Sequence, residues 1–299
     1  MKRVLRRRIV LLAFLALASC RPDAPPQPAR SGPPQRIVCA NAAAAEFVCR
    51  LVAPERIAAL PEQADAYSML DLRSHGFEKV ARFPRYVAEA VLALNPDLVV
   101  THDWQNAQTT GVLRARGIDV LVLKSAQSYE DIRGTLVDLG RRLECTGNAA
   151  GVVAELDARV AKMRATSSAR SALAAMVYSN DGTGGSTAGA RTTADTMIRL
   201  AGLKNAAADA GIVDHTAIDF ERLITIDPDV LIVASPAQGE GGSATKNVIE
   251  SSAALAHLKA VKGKRIVVLP APLMSADSPP LVDGAELLAR EVDRLLAAK

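Results

Sequence analysis

The chain has 299 residues, 49% of them hydrophobic, which suits one large domain or two ordinary ones and excludes a disordered chain. Only 3% of the residues are aromatic, so Ala, Val and Leu must supply most of the packing. The formal charge of +4 arises in the first nineteen residues: without them 31 basic residues face 32 acidic ones, a charge of −1, and nothing indicates nucleic-acid binding.

The first nineteen residues have the pattern of an export signal. Basic residues precede an apolar run at 9–18 that is too short to span a membrane. The run ends in LASC at 17–20, which resembles the bacterial lipobox, a motif whose Cys is lipidated and becomes the new N-terminus. We therefore predict a lipoprotein signal at 1–19 and lipidation of Cys20; the alternative is an ordinary signal with a chance Cys.

A proline-rich segment and three further cysteines follow. Residues 20–35 hold six prolines and no apolar run, so they are predicted to form an extended tether. Export permits disulfides, and Cys39 and Cys49 are predicted on a strand and the following helix. Together with Cys145 they allow at most one bridge. They either pair or act as small buried apolar residues, and we favour the second interpretation.

A ten-residue pattern occurs twice, 132 residues apart. The chain reads VLALNPDLVV at 91–100 and LITIDPDVLI at 223–232, each after a short helical stretch. Asn95 and Asp227 each precede a proline, which disfavours the helical conformation, so each helix must end there. The unbroken apolar run after each Pro-Asp pair is typical of a strand buried in a parallel sheet. Each copy therefore predicts a helix–turn–strand joint.

These joints divide the chain into two halves of similar design. Strands are predicted at 36–40, 98–100, 118–123, 173–179, 230–233 and 265–269. Apolar residues at helical spacing within 148–166 predict a rod of roughly 28 Å between the halves. We therefore predict an α/β fold with two Rossmann-like lobes of parallel sheet joined by a single long helix. The predicted lobes are 36–145 and 169–299, and the helical segment is 146–168.

Several stretches together carry a resemblance to a known family. They read RIVCANAAAAEFVCRL, AEAVLALNPDLVV, LRARGIDVLVL, SYEDIRGTLVDLGRRLECTG, TADTMIRLAGLKNAA, DFERLITIDPDVLIV and GKRIVVLPAP, in chain order. In order and spacing they resemble the substrate-binding proteins of the iron-siderophore, haem and cobalamin ABC importers, from Arg36 to Lys299. The resemblance implies a monomeric receptor in the cell envelope, held to the membrane by a lipid, without enzymatic activity or a cofactor. Its implied partners are the permease and ATPase subunits and a ferric siderophore, haem or corrinoid ligand.

The ligand is expected beyond the carboxyl ends of the strands, because open α/β sheets bind ligands there. Trp104, the single Trp, is predicted to stack on a flat ligand. His102 and His215 come from opposite halves and are candidate ligands for haem iron or a metal ion. The predicted cleft residues are Asn41, Tyr67, His102, Asp103, Trp104, Tyr178, His215, Gln238 and Asp277.

The chain departs from the family at two places, and two other functions stay open. Four alanines follow Asn41, and the acidic docking feature is absent near Tyr67, so the candidate permease contacts are Glu62, Asp65, Asp71 and Glu240. One alternative is a receptor for a divalent metal ion, which needs several ligands to converge; the candidate set is His102, Asp103, His215 and Asp277. The other is an exported α/β hydrolytic enzyme, against which the missing nucleophile and metal motifs count.

Overall fold

Two sheets flanked by helices make up the described part of the chain, which in this computed structural model is 32–180, 184–235 and 243–298. Cys20, Gln238 and Glu240 lie outside these ranges. The strands are β1 Ile37–Cys39, β2 Ile57–Pro61, β3 Ala81–Phe83, β4 Leu98–His102, β5 Val120–Leu123, β6 Ala174–Asn180, β7 Gly185–Ala188, β8 Lys204–Asn205, β9 His215–Ile218, β10 Val230–Ser235 and β11 Ile266–Pro270.

Helices cover both faces of the sheets. The α-helices are α1 Ala42–Val48, α2 Ala64–Tyr67, α3 Ala88–Ala93, α4 Ala107–Ala115, α5 Tyr129–Arg142, α6 Thr146–Ala165, α7 Thr193–Leu200, α8 Ala206–Asp209, α9 Phe220–Ile226, α10 Ala244–Ser251, α11 Lys259–Lys262, α12 Ala271–Met274 and α13 Pro280–Ala297. Short 3-10 helices occupy Pro54–Arg56, Phe77–Lys79 and Ala253–Leu255. None of the helices in the described ranges is long and apolar enough to cross a membrane.

The first sheet is entirely parallel, in the order β3-β2-β1-β4-β5. The second has the order β11-β10-β6-β7-β9, with β8 beside β6, and it is mixed because β7 runs antiparallel to both β6 and β9. The predicted α/β class and two-lobe architecture are confirmed. The antiparallel extension of the second sheet was not predicted, because β7 and the edge strand β9 are short and contain no apolar run.

The repeated pattern forms the same joint in both lobes. Asn95 and Asp227 end α3 and α9 with positive φ values of 48° and 46°. Two residues later, the Asp97 N–H donates to Arg36 O while the Asp97 carboxylate accepts the Arg36 N–H, at 3.1 and 2.9 Å. Asp229 and Ala174 repeat this reciprocal pair at 2.8 and 3.0 Å. The Asp after the proline in each copy therefore fixes the start of the neighbouring central strand.

The helix α6 connects the lobes through a continuous hydrophobic core. Its residues Val153, Leu156, Val160 and Met163 are buried, at the spacing predicted from the sequence. The same cluster continues from the first sheet through this helix to the second sheet and α13. The lobes therefore share one core, which restricts how far one can move against the other.

The three described cysteines are free thiols. Cys39 and Cys49 are buried in the first lobe and Cys145 is half-buried. Burial raises the pKa of Cys39, and it raises the pKa of Cys49 to about 12. Both thiols pack as small apolar side chains, which is the interpretation favoured from the sequence.

Candidate functional site

A cavity lies between the lobes at the carboxyl ends of the strands. The first lobe contributes the segments after β1, β2 and β4, and the second lobe contributes the segment from α12 to the start of α13. The lining residues are Asn41, Ala42, Ala43, Glu46, Gln63, Tyr67, Trp104, Pro272, Ser275, Ala276, Asp277, Ser278 and Pro280. Its volume is about 200 Å³, and about 630 Å³ with its open mouth.

Trp104 presents a flat apolar surface at this cavity. It follows β4 and its side chain is 56% exposed, although large aromatic side chains are mostly buried. The His102 ring supports the indole from behind, with ring centroids 5.7 Å apart and planes inclined by 23°. The indole N–H donates to Asp277 Oδ2 at 3.3 Å, which joins the two lobes across the cavity.

His102 is held as a neutral imidazole. The Asn41 Oδ1 atom accepts the Ala44 N–H at 2.8 Å, so it is an acceptor, and the His102 Nδ1 atom 3.1 Å away must carry the proton. The Nε2 atom then holds a lone pair, and it has no hydrogen-bond partner in the described ranges. Burial lowers the pKa of His102 despite the nearby carboxylates of Asp277 and Asp103.

Glu46 places a buried acid at the cavity wall. It lies on α1 and is 2% exposed. Its Oε1 atom accepts hydrogen bonds from Ser68 Oγ, at 2.7 Å, and from the Met69 N–H. Its Oε2 atom lies 3.0 Å from Arg50 Nη2 in an ion pair. Burial raises the pKa of this carboxyl, outweighing the opposing effect of Arg50 and of the two hydrogen bonds.

Four of the residues predicted for the cleft line this cavity, namely Asn41, Tyr67, Trp104 and Asp277. His102 lies directly behind Trp104 and is 1% exposed. Asp103 turns away, because its carboxylate accepts hydrogen bonds from Ser125, and it lines a separate groove with Lys124.

The structure does not bring Tyr178 or His215 to the cavity. Tyr178 is fully buried in the second lobe, because β6 extends to Asn180 and pairs there with β7, and its hydroxyl accepts a hydrogen bond from Asn180 at 3.0 Å. His215 pairs with Ala188 at the edge strand β9. No three His, Cys, Asp or Glu side chains converge on a metal site in the described ranges, so His102, Asp103, His215 and Asp277 do not form the set that a bare metal ion needs.

The candidate docking acids of the first lobe have different surroundings. Asp65 forms an ion pair with Arg82 at 2.8 Å, while Glu62 is exposed. Asp71 is exposed, and its pKa is lowered by hydrogen bonds from Ser74 and from the Arg73 N–H. Asp65 therefore stabilises its own lobe through this ion pair, and Glu62 and Asp71 lie exposed at the surface.

Sequence reasoning missed Glu46. Glu46 lies inside a helix, whereas the sequence predicts ligand contacts in the loops after the strands. The signal was present, since Glu46 is the one charged residue in the apolar run AAAAEFV at 42–48. A lone acid in an apolar run indicates either an ion pair or a ligand contact.

A family profile and two relatives with known descriptions match the sequence of this chain. The sequence profile of the periplasmic binding protein family matches residues 51–273. A cobalamin-binding protein of Halobacterium salinarum is 30% identical over 165 residues, which are 55% of this chain and 44% of that protein. An uncharacterized ABC transporter substrate-binding lipoprotein of Bacillus subtilis is 25% identical over 218 residues, which are 68% of this chain and 64% of that protein. The matched segments thus span less than two thirds of these relatives.

Solved structures share the whole fold. The apo form of the periplasmic haem-binding protein RhuT from Roseiflexus has a TM-score of 0.74 at 23% identity, covering 87% of this chain and 98% of that one. The periplasmic vitamin B12 binding protein BtuF of Vibrio cholerae has a TM-score of 0.69 at 15% identity, covering 89% and 99%. Because the family profile spans most of the sequence and the two-lobe architecture agrees, this chain belongs to the periplasmic binding protein family.

Proposed function

We propose that this protein is the substrate-binding component of an ABC importer and captures a ferric siderophore, haem or corrinoid in the interlobe cavity. The family and the fold are those of binding proteins. Relatives described as cobalamin-binding and as an ABC transporter lipoprotein, and fold neighbours described as haem-binding and vitamin B12 binding, support this ligand group. On this proposal the chain catalyses no reaction and needs no resident cofactor.

The exposed Trp104 is the observation that carries the proposal. An indole that is 56% exposed at an interlobe cavity, and supported by a second ring behind it, offers one face to a planar ligand. Stacking of aromatic rings contributes about 0.5–1.5 kcal/mol beyond the burial of apolar area. Tyr67, which is also exposed at this cavity, adds a second aromatic wall.

Ligand entry requires a local opening. Small-molecule sites usually enclose about 300–1,000 Å³. The cavity volume of about 200 Å³ is smaller, and the Trp104–Asp277 hydrogen bond joins the two lobes across it. We infer that the ligand breaks this bond, lies against the indole and extends into the mouth of the cavity.

The signal and the tether supply the cellular context of the proposal. Lipidation of Cys20 would anchor the receptor outside the cytoplasm, and the proline-rich residues 20–35 would let it reach its permease. We propose that the receptor acts as a monomer with permease and ATPase partners. Glu62 and Asp71, with Glu240 outside the described ranges, are the proposed docking acids.

A ligand panel tests the proposed function. Purified protein is mixed with haemin, cyanocobalamin, a ferric hydroxamate and divalent metal ions, and thermal unfolding and visible absorption are recorded. We expect one chelate to raise the unfolding midpoint, and Trp104→Ala to weaken its binding by at least about 10-fold, because both the stacking and the buried apolar area are lost. Trp104→Phe should retain most of the affinity. Ile224→Ala removes an exposed apolar side chain that does not line the cavity, and it should change nothing.

Two results would contradict the proposal. One is stabilisation by a bare metal ion alone, which would indicate a metal receptor. The other is turnover of an ester or phosphate substrate that is lost with a single cavity substitution, which would indicate an enzyme.

A further inference from the structure

Two buried side chains at the cavity have hydrogen-bonding atoms without a hydrogen-bond partner in the described ranges. Asn41 is 1% exposed, and its Nδ2 donor is unused while its Oδ1 atom accepts the Ala44 N–H. Glu46 Oε2 accepts no hydrogen bond, and its one described partner is the Arg50 guanidinium, in an ion pair at 3.0 Å. Buried polar groups are rarely left in this state, because each unmade hydrogen bond is costly. Since both residues line the cavity, the missing partners point to a ligand.

The two side chains offer complementary roles from one short stretch of chain. Asn41 supplies an N–H donor at the start of α1, and Glu46 supplies an acceptor within the same helix. A primary carboxamide requires this combination, because its carbonyl accepts one hydrogen bond and its NH2 group donates another. A carboxylate has no N–H to donate to Glu46, and its charge is repelled.

The charge of the cavity favours an uncharged ligand. Glu46 and Asp277 are acidic, and none of the described lining residues is Lys or Arg. The segments 181–183 and 236–242, outside the described ranges, contain no Lys or Arg in the sequence. The guanidinium of Arg50 is already occupied by Glu46, with Asp283 of α13 at 4.0 Å on its other side. A ligand carboxylate would therefore meet the Asp277 carboxylate and a Glu46 carboxylate that is already paired with Arg50, and no available cation.

We propose that Asn41 and Glu46 form a subsite for a primary carboxamide, so that the receptor takes a corrinoid, whose ring carries carboxamide side groups, in preference to haem, whose ring carries two propionates. This inference rests on the proposed function. It adds the chemical group that the site recognises and the two residues that select it. Gln63, Ser275 and Ser278 supply further neutral hydrogen-bonding groups around the same cavity.

The test compares two ligands that share one ring. Dicyanocobinamide carries carboxamides, whereas dicyanocobyrinic acid carries carboxylates at the same positions. Binding of each to the full-length protein is measured by calorimetry, with haemin as a third ligand. We expect wild-type protein to bind dicyanocobinamide at least about 10-fold more tightly than the acid, since a hydrogen bond to a charged group typically accounts for a factor of this size.

Two variants locate the selectivity. Glu46→Gln keeps the size of the side chain but offers an N–H to a carboxylate, so the preference for the amide should fall by about the same factor. Asn41→Ser keeps a helix-capping oxygen and removes the Nδ2 donor, so it should weaken dicyanocobinamide binding. Glu250→Gln removes an exposed acid on α10 and should leave the preference unchanged.

The outcomes separate the two proposals. Equal or tighter binding of the acid or of haemin by wild-type protein overturns the carboxamide subsite, and so does a preference that survives both substitutions. If Glu46→Gln fails to fold, as judged by circular dichroism, the wild-type ligand pair and Asn41→Ser decide the question. Absence of binding to any corrinoid, haem or siderophore overturns the proposed function itself.

Discussion

At the residue scale, the cavity depends on a neutral His102. The hydrogen bond with Asn41 determines the tautomer of this imidazole, and the stacked Trp104 covers its ring and helps to fix its position. A proton on Nε2 would place a charge behind the indole, where burial disfavours it. The residue that supports the stacking surface is therefore expected to be sensitive to acid.

The lowered pKa of His102 predicts how stability depends on pH. In the unfolded chain a His titrates at about pH 6.5. As the pH falls below this value, the unfolded state binds a proton that the folded state does not accept until its lower pKa is reached, so the fold loses stability over that interval. We expect the thermal midpoint of wild-type protein to fall further between pH 7.5 and 5.5 than that of His102→Gln.

His257→Gln provides the control for this measurement. His257 is exposed, so this variant should follow the wild-type midpoint at both pH values. Parallel curves for wild-type protein and His102→Gln, measured by calorimetry, would mean that the buried imidazole contributes nothing to the acid sensitivity. Comparison at each pH cancels the contributions of all other groups.

At the element scale, the repeated Pro-Asp joint stabilises each lobe. Asp97 and Asp229 each accept a backbone N–H at the start of the neighbouring strand. Replacing either by Ala leaves that donor without its charged partner, at a cost of about 1–2 kcal/mol. The two joints share no partner, so the costs should add in the double variant.

Chemical denaturation measures these costs. Asp138→Ala removes an exposed carboxylate whose ion pair with Arg141 joins residues of one helix, and should cost less than about 0.5 kcal/mol. If Asp97→Ala and Asp229→Ala are as mild as this control, the joints do not anchor the strands.

The joints also mark how far the sequence predicts the structure. The proline after Asn95 and Asp227 predicted both helix ends, and the apolar runs predicted β4 and β10. The reciprocal bonds of Asp97 and Asp229 could not be predicted, because they reach residues more than fifty positions away in the sequence. The antiparallel strands β7 and β9 were not predicted, because backbone pairing of β7 with β6 and of β9 with β7 holds them, and not a run of apolar residues.

The candidate site was also predictable only in part, because some of its residues depend on pairing and packing between distant segments. Loops after strands are recognisable in a sequence, so Asn41, Trp104 and Asp277 were found. Tyr178 was misplaced because the true end of β6 depends on its pairing with β7. Glu46 was missed because only the packed structure shows which face of α1 meets the cavity.

At the scale of the whole molecule, a shared core and several polar contacts join the two lobes. The core continues through α6, whose Arg159 binds Asp283 and Glu286 of α13. Thr196 of the second lobe donates to Gln127 O of the first at 2.7 Å. A shared core and these polar ties leave little freedom for a hinge, so ligand capture should involve movement of Trp104 more than movement of a lobe.

A crystal structure of the protein with its bound chelate tests the central claim most directly. We predict that the ligand ring lies against Trp104 between the two lobes, that the Trp104–Asp277 hydrogen bond is broken, and that the Cα atoms of the lobes shift by no more than about 2 Å. A ligand bound elsewhere on the surface, with Trp104 and Asp277 still joined, would contradict the account.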